Sequence, residues 1–394
     1  MVTFAMAVLT STPRNVRMPF GGGAGWLAAG VEDGCVMVRP YGDLPTPARG
    51  RTGSLTAVTD TTRRAPSMYD VATRAGVSHQ TVSRVLNDFA GIRPETRERV
   101  LAAIAELGYR PNRAARALVT SRSRAIGVLV PATADFGPMS SLHAIERAAR
   151  AAGYHALITS TLVETDAVRA SLQFLLDQSI EALVVIAPYR VVTDELDVVP
   201  PGIPTALLQT GDVDAAGAIA VDQRAGARLA ARHLLELGHR NIQQLTGPAD
   251  YLEAVARRDA VDDELAAAGV PLLPRLSGDW TADSGYAAGA ALDPATTAVL
   301  CGNDQMALGL MHALADLGRA VPGDVSVVGF DDIPESAHSL PPLTTVHQDF
   351  EEVGRRAVSD LVARLEGREP DPEATSIAPT LVVRSSTATL HPTM

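Results

Sequence analysis

From residue 124 onward, short apolar runs alternate with amphipathic segments. The runs have the length of strands buried on both faces, and the segments between them place apolar residues at helical spacing. This alternation predicts parallel sheets covered by helices, and about 270 residues is large for one such core, so we expect two similar subdomains. The predicted strands are 125–130, 156–160, 182–186, 242–245, 298–301 and 325–330, and the predicted helices are 142–151, 167–178, 225–237, 252–268 and 305–317.

The segment before this region has another pattern, in which two short helices flank a tight turn. Apolar residues at helical spacing predict a helix over 68–75, Gly76 suits a left-handed turn position, and Ser78 suits a helix N-cap. A second helix over 79–86 completes a helix-turn-helix. Its exposed polar side chains can reach base edges or phosphates in a DNA major groove, and they are His79, Gln80, Ser83 and Arg84.

A third helix follows this pair. Pro94 suits its first turn and Gly108 suits its end. The Arg- and Ala-rich stretch that comes next, 109–118, is helix-compatible but too short to be stable alone, so we expect it to order only against a partner. The predicted buried stripe of the third helix is Val100, Leu101, Ile104 and Leu107.

Charge divides the chain in the same place. The net charge of −11 combines +3 over residues 1–67, +4 over residues 68–123 and −18 over residues 124–394. Such asymmetry indicates a nucleic-acid-binding module attached to a body with a different role.

Composition excludes several classes of protein. A hydrophobic fraction of 46% is too high for wholesale disorder, and two cysteines cannot form a disulfide framework or a cysteine-rich metal site. We expect no metal and no cofactor. Because no apolar run is long enough to cross a membrane and no secretory signal is evident, we expect a cytoplasmic, nucleoid-associated protein without a membrane partner. Residues 1–67 are Gly- and Pro-rich without sustained period, so we expect a disordered tail or a translation start near Val58 or Met68.

Polar residues follow several of the predicted strands. Asn303 and Asp304 come after one strand, Asp331 and Asp332 after another, and Arg257 lies on the helix that follows a third. Ligands of such sheets bind at the carboxyl ends of the strands, so these groups should converge on a cleft. An Asp carboxylate accepts hydrogen bonds, an Arg guanidinium donates them in pairs, and an Asn amide does both. This set of side chains suits the recognition of hydroxyl groups. As an alternative, Asp304 and Asp332 have structural roles, Asp304 as a helix cap. Of the nearby histidines, we expect His239 to lie on the surface and His347 to be buried.

The helical segment resembles the lactose-repressor (LacI-type) family of bacterial regulators in the stretches 69–72, 75–78, 81–87 and 108–112. The resemblance implies that the second helix binds the major groove. It also implies a hinge helix after Asn112 that folds on DNA and inserts Leu118 into the minor groove. The DNA contacts it assigns are Tyr69, Ser78, His79, Gln80, Thr81, Ser83, Arg84, Asn87, Asn112, Ala115 and Leu118.

The resemblance extends across the acidic body, in stretches that include 246–248, 303–309, 327–332 and 341–350. It implies an all-α helix-turn-helix DNA-binding domain plus an α/β periplasmic-binding-protein-like core of two parallel-sheet subdomains. The implied segments are 68–110 for DNA binding, 111–123 for the hinge, 124–222 with 347–376 for the N-subdomain, and 223–346 with 377–394 for the C-subdomain.

Site residues are implied by position in the same family. Sugar hydroxyls would be bound by Arg257, Asn303, Asp331 and Gln348; Trp280 and Phe350 would supply apolar faces; Ser141 and the turn at Phe136-Gly137-Pro138 would line the other side.

Two positions depart from the family pattern. Arg190 stands about where the pattern has an aspartate, and Glu253 where it has a serine. We hypothesise that Arg190 and Glu253 face each other and reshape one end of the sugar site. After Arg384 there is no leucine heptad of the kind that makes tetramers, and one helix-turn-helix recognises only a half-site, so we expect a homodimer.

Together these features predict a transcriptional regulator that binds a near-palindromic operator in double-stranded DNA. We expect a repressor of carbohydrate-utilisation genes, released by a sugar that could be a β-galactoside. A corepressor-dependent regulator of the same fold is an alternative. A glycosidase that uses Asp331, Asp332 or Glu253 is a second alternative, and a sugar-transport protein is a third.

Overall fold

A computed structural model describes residues 66–87, 89–110, 122–211, 217–369 and 375–390. In the separate unit Met1–Ala65 it also gives one antiparallel hairpin, β1 (Ala28–Val31) with β2 (Gly34–Met37), where the sequence predicted no strand. The remainder of the predicted tail lies outside the described residues.

Three helices follow: α1 (Met68–Ala75), α2 (His79–Leu86) and α3 (Pro94–Leu107). Ser67 caps α1, because its hydroxyl accepts from the amide of Asp70 while the Asp70 carboxylate accepts from the amide of Ser67. Gly76 ends α1 with φ 63°, in the left-handed region that favours glycine. The helix-turn-helix prediction therefore agrees with the local structure.

The helices enclose a small apolar core. Val71, Val82, Val85 and Val100 are almost fully buried in it. The predicted stripe of α3 was wrong at Leu101, which is 50% exposed, since Ala103 faces the core instead.

The larger body consists of two lobes with parallel sheets. The first lobe has a four-stranded sheet in the order β4-β3-β5-β6, and all its pairs are parallel. Its strands are β3 (Ala125–Pro131), β4 (His155–Thr161), β5 (Ala182–Ile186) and β6 (Thr205–Leu208), and its helices are α4 (Phe136–Ala151), α5 (Thr165–Asp177), the short α6 (Arg190–Asp194) and α11 (Phe350–Leu365).

The second lobe has a six-stranded sheet in the order β14-β12-β11-β10-β8-β9, parallel except for the edge strand β14. Its strands are β8 (Ile242–Thr246), β9 (Leu276–Ser277), β10 (Ala298–Cys301), β11 (Ser326–Asp331), β12 (Thr344–His347) and β14 (Thr380–Val382), and its helices are α7 (Gln223–Glu236), α8 (Leu252–Ala267), α9 (Ala282–Ala288) and α10 (Asp304–Asp316). None of the described helices is long and apolar enough to cross a membrane.

The chain passes between the lobes three times. The first crossing lies between β7 (Ala220–Val221) and α7, the second between β12 and α11, and the third between β13 (Ser376–Ile377) and β14. Strands β7 and β13 pair in parallel beside two of these crossings. A cleft between the lobes is therefore bounded by the polypeptide that links them.

Two predictions about histidine were wrong. His239, just after α7, is only 2% exposed. Its ring nitrogens are within hydrogen-bond distance of the hydroxyls of Thr297 and Ser326 and of the carbonyl of Ala388. His347 is half-exposed instead of buried, and its Nδ1 lies 3.1 Å from Asp332.

Asp304 and Asp332, for which the sequence also allowed a structural role, both stabilise the second lobe. Asp332 pairs with Arg384 at 2.6 Å, in addition to His347. Asp304 is fully buried and accepts from the amide of Ile333 and the hydroxyls of Ser336 and Thr345. It does not cap α10, since the neighbouring Asn303 does so.

Candidate functional site

A polar cavity of about 290 Å³ opens between the lobes. Residues after β3 line one side. The other side is lined by residues after β8, β9, β10 and β12 and by the last residue of β11, at the edge where carboxyl ends of parallel strands meet. Of the ten predicted ligand-binding residues, seven line it: Phe136, Glu253, Arg257, Trp280, Asn303, Asp331 and Gln348.

Arg257 is the central cation of this cavity. Its Nε donates to Gln223 over 2.8 Å, and its Nη1 donates to the carbonyl of Gly302. The guanidinium carbon also lies 3.9 Å from the ring centroid of Phe330. These contacts fix a buried, permanently charged group at the floor of the cavity.

Two carboxylates flank the guanidinium at longer range. Glu253 lies 3.6 Å and Asp331 lies 3.8 Å from Arg257 nitrogens. Burial raises the pKa of Asp331 to about 8, although Arg257 opposes that rise. Burial likewise raises the pKa of Glu253, again against the effect of Arg257. One cation is therefore shared between two desolvated acids.

The hypothesis that Arg190 faces Glu253 disagrees with the structure. Arg190 is exposed where α6 begins and is not part of the cavity lining. Glu253, on α8, instead accepts from Gln223 over 2.9 Å and lies beside Arg257. The loop before Arg190 carried no pattern that could fix its alignment, and this is why the position was misjudged.

A buried amide network joins the cavity to the crossings. Gln223 begins α7 at the first crossing, and its Nε2 donates to Gln348 Oε1 over 2.7 Å at the second. Gln348 in turn donates to Asp331 over 2.6 Å. The sequence analysis did not identify Gln223, although its place between two predicted elements was the available signal.

Aromatic rings form one wall. The Tyr251 ring meets the Trp280 ring edge to face at 4.9 Å, and Tyr189 meets Tyr251 at 5.1 Å. Trp280 has φ 75° and a buried Nε1 without a partner among the described residues. Asn303 is satisfied internally, because it donates to the Trp280 carbonyl and accepts from the Met306 amide. Tyr251 is a further wall residue that the sequence analysis missed.

The first-lobe side contains the remaining predicted residues. Phe136 does not lie in a turn, as predicted, but begins α4, and it packs edge to face against Phe350 at 5.9 Å. Ser141 is fully buried in α4, one turn below the lining. Phe350 and Ser141 thus lie behind the cavity wall rather than on its surface.

Gln209 is a second residue that sequence analysis missed. It follows β6, has φ 60°, and is 3% exposed. Both polar atoms of its amide are buried without a partner in the described part of the chain, as is Ser141 Oγ. A Cβ at Gly137 would lie 2.7 Å from Gln209 Nε2, so the glycine allows this close packing.

A second cavity of about 400 Å³ lies behind Arg257. Its walls are mainly apolar and include Ala227, Ala230 and Leu300. We place the ligand site in the polar cavity instead, because convergent polar groups are what orient a small ligand.

The helix-turn-helix presents a continuous polar surface. Ser78 caps α2 by accepting from the Thr81 amide over 3.1 Å, which fixes the start of the helix. The Tyr69 ring, 68% exposed, stacks on His79 at 5.2 Å. The remaining predicted contact residues of α2 are exposed or half-exposed, and they are Gln80, Thr81, Ser83, Arg84 and, at the end of the helix, Asn87.

The structure thus brings the predicted DNA contacts of α1 and α2 to one solvent-facing surface. The predicted hinge contacts Asn112, Ala115 and Leu118 lie outside the described residues. Within the described ranges, no group of three His, Cys, Asp or Glu side chains is arranged to hold a metal ion.

Family models match two parts of the chain. Residues 67–112 match the model described as bacterial regulatory proteins, lacI family, and residues 231–387 match a periplasmic binding protein-like domain.

Curated relatives cover most of the chain. The lactose operon repressor of Escherichia coli K12 is 36% identical over 313 residues, which are 77% of this chain and 85% of that protein. The regulator CelR of Thermobifida fusca is 34% identical over 345 residues, 82% of this chain and 99% of that protein. The repressor PurR of Haemophilus influenzae is 31% identical over 330 residues, 81% of this chain and 98% of that protein.

Solved structures agree with these relatives. A lac repressor dimer bound to operator and the anti-inducer ONPF superposes with a TM-score of 0.75 at 32% identity, covering 82% of this chain and all of that one. A CelR–cellobiose complex superposes with a TM-score of 0.58 at 29% identity, covering 82% of this chain and 99% of that one.

Proposed function

The chain belongs to the lacI family of bacterial regulatory proteins, and on this premise we propose that it is a dimeric repressor whose operator affinity is set by a small molecule bound between the lobes. Membership makes the chain a DNA-binding transcriptional repressor, and its curated relatives are regulators rather than enzymes. The glycosidase and transport alternatives are therefore set aside.

One observation carries the proposal: the same chain joins an exposed helix-turn-helix surface to a cavity in which buried polar groups from neighbouring strands converge. The cavity network includes Gln223 and Gln348, which lie at two of the three crossings. A ligand that bonds Asp331 or Arg257 would therefore alter contacts at the crossings, where the angle between the lobes is set. Coupling of this kind requires two sites and a shared two-state element, and the crossings supply that element.

We assign the DNA contacts to α1 and α2. His79, Gln80 and Ser83 would contact base edges, and Arg84 would contact a phosphate. Two such surfaces in a dimer fit a near-palindrome, since each covers one half-site. A lac repressor dimer bound to operator has the same fold over 82% of this chain, which supports the assignment. Insertion of Leu118 from the hinge remains a prediction.

We propose a sugar as the effector class. Carboxylate acceptors, a fixed guanidinium donor and an aromatic wall suit a hydroxylated ring. The CelR–cellobiose complex supports this choice, whereas the PurR relatives show that the family does not determine the effector.

Selection of duplexes from a randomised DNA pool by the full chain tests the function. We expect enrichment of a near-palindrome with two half-sites, and no enrichment with the double variant His79→Ala and Gln80→Ala, which leaves the helix core unchanged. Recovery of unrelated sequences by both proteins would contradict the assignment. Repeating the binding assay with sugars then shows how the ligand changes DNA affinity. An inducer would release the protein from the duplex, and a corepressor would tighten its binding.

A further inference from the structure

The cavity between the lobes is lined by more acidic than basic side chains. Its lining has three carboxylates, Asp135, Glu253 and Asp331, and one cation, Arg257. With a neutral ligand these buried acids would have to hold protons, because an uncompensated buried charge is costly, whereas a bound cation would let them ionise.

Arg257 is already committed to protein partners. Its Nε donates to Gln223 and its Nη1 to the carbonyl of Gly302, while its distances to Glu253 and Asp331 exceed hydrogen-bond length. Asp135 lies across the cavity at the start of α4, where it makes no capping bond.

The proton affinities of these acids agree with a site that has too few cations for its acidic groups. Burial is the largest cause of the raised pKa of Asp135, Glu253 and Asp331. Asp279 also raises the pKa of Asp135, and Asp304 and Glu253 raise that of Asp331. A cation entering the cavity would reverse these effects and release bound protons.

Among the described residues, no three acidic, His or Cys side chains are grouped as the ligands of a metal ion. An organic cation needs no such grouping. The wall of Tyr251 and Trp280 offers aromatic rings, which attract an ammonium group.

The same wall also demands a hydrogen-bond acceptor. Trp280 Nε1 is buried without a partner among the described residues, and an indole N–H can only donate. A ligand that carries both an ammonium group and hydroxyl or ring oxygens would satisfy Trp280 and the carboxylates together.

We propose that the effector is an amino sugar whose ammonium group binds at Glu253, on the acidic lining of the cavity, and whose oxygen accepts from Trp280. This rests on the proposed function and specifies its ligand.

Thermal-shift titration of the full chain at pH 7 with matched probes is the test. The probes are glucosamine and galactosamine, their N-acetylated forms, and glucose and galactose. Acetylation keeps the ring and removes the charge. We expect the amines to raise Tm and to bind at least tenfold more tightly than the acetylated and neutral sugars. Calorimetry of amine binding in two buffers of different ionisation enthalpy should show net proton release.

Variants separate charge from shape. Glu253→Gln keeps an acceptor for Gln223 and removes one charge, so glucosamine affinity should fall at least tenfold. Glu236→Gln, at the exposed end of α7, is the matched control and should bind like the parent. A Glu253→Gln variant with parental glucosamine affinity would overturn the charge assignment.

Two other outcomes overturn the proposal without affecting the repressor assignment. Neutral sugars that bind as tightly as the amines would show that charge does not select the ligand. A panel in which no amine raises Tm would exclude amino sugars. Operator selection is measured separately, so a chain that enriches a near-palindrome but ignores amines remains a repressor with another effector.

Discussion

The side-chain amides of Gln223 and Gln348 meet at 2.7 Å, and the two residues lie at two different crossings between the lobes. Gln223 also donates to Glu253 and accepts from Arg257. The crossings and the ligand cavity therefore share one buried hydrogen-bond network. A network of this kind is stabilising only while each member keeps its partners.

Replacement of Gln223 by alanine tests this network. The change leaves buried groups of Glu253, Arg257 and Gln348 without their partner, and each unsatisfied polar group costs about 1–3 kcal/mol. We expect the free energy of unfolding to fall by about 2–4 kcal/mol in urea denaturation. Gln173→Ala removes an exposed bond to Asp177 and should change it by less than about 0.5 kcal/mol. Equal effects of the two variants would refute a structural role for the network.

Asp331 should make stability depend on pH. Its folded-state pKa of about 8 lies above the value of about 3.9 expected for the unfolded chain. A raised folded-state pKa gives a contribution to stability that is complete below about pH 4 and lost as pH rises through about 8. Asp331→Asn retains an acceptor for Gln348 and removes the charge. We expect it to raise the free energy of unfolding at pH 8.5 by on the order of 5 kcal/mol, with no difference near pH 4.

Glu253 and Asp304 lie close to Asp331 and also titrate, so the comparison must be made between variants rather than on the parent alone. Asp263→Asn, at an exposed position of α8, is the matched control and should track the parent at every pH. A stabilisation by Asp331→Asn that is independent of pH would contradict the assigned cause. Chemical denaturation across pH 4–8.5 provides the measurement.

Gly309 allows two helices to approach closely. A Cβ at this position of α10 would overlap the carbonyl of Ala282 at the start of α9. Because the obstacle is backbone, we expect Gly309→Ala to lower the free energy of unfolding by about 1–3 kcal/mol or more. Gly202→Ala, where a Cβ meets nothing within 4 Å, should be near neutral. A stabilising Gly309→Ala in urea denaturation would show that the helices separate without cost.

Elements with strong local patterns were predictable. Helices α1 and α2 agree with the prediction, since the turn at Gly76 and the cap at Ser78 are determined by neighbouring residues. Strands buried on both faces, such as β5, were also predicted. The short strands β6, β12 and β14 were not, because three or four residues carry too little periodicity to distinguish them from loops.

The cavity was predictable where polar residues directly follow strands, as at Asn303 and Asp331. Gln209 and Gln223 were missed because their importance comes from partners distant in sequence, such as Gly137 and Gln348. Arg190 was wrongly assigned to the cavity because it was placed by aligning a loop, and a loop has no periodic pattern that fixes the alignment.

Arg84 connects the sequence pattern to DNA affinity. It is exposed on α2, where its guanidinium carbon lies 5.5 Å from the Phe89 ring centroid, so packing holds the side chain on the surface proposed to bind DNA. A phosphate contact contributes about 0.9 to the slope of log affinity against log salt. We expect Arg84→Ala to reduce that slope by about 1 and to weaken the selected and unrelated duplexes to a similar extent. Arg190→Ala, exposed in the first lobe, is the matched control for total charge. Fluorescence anisotropy at several salt concentrations distinguishes the outcomes: an unchanged slope with loss of affinity for the selected duplex alone would mean that Arg84 contacts bases rather than phosphate.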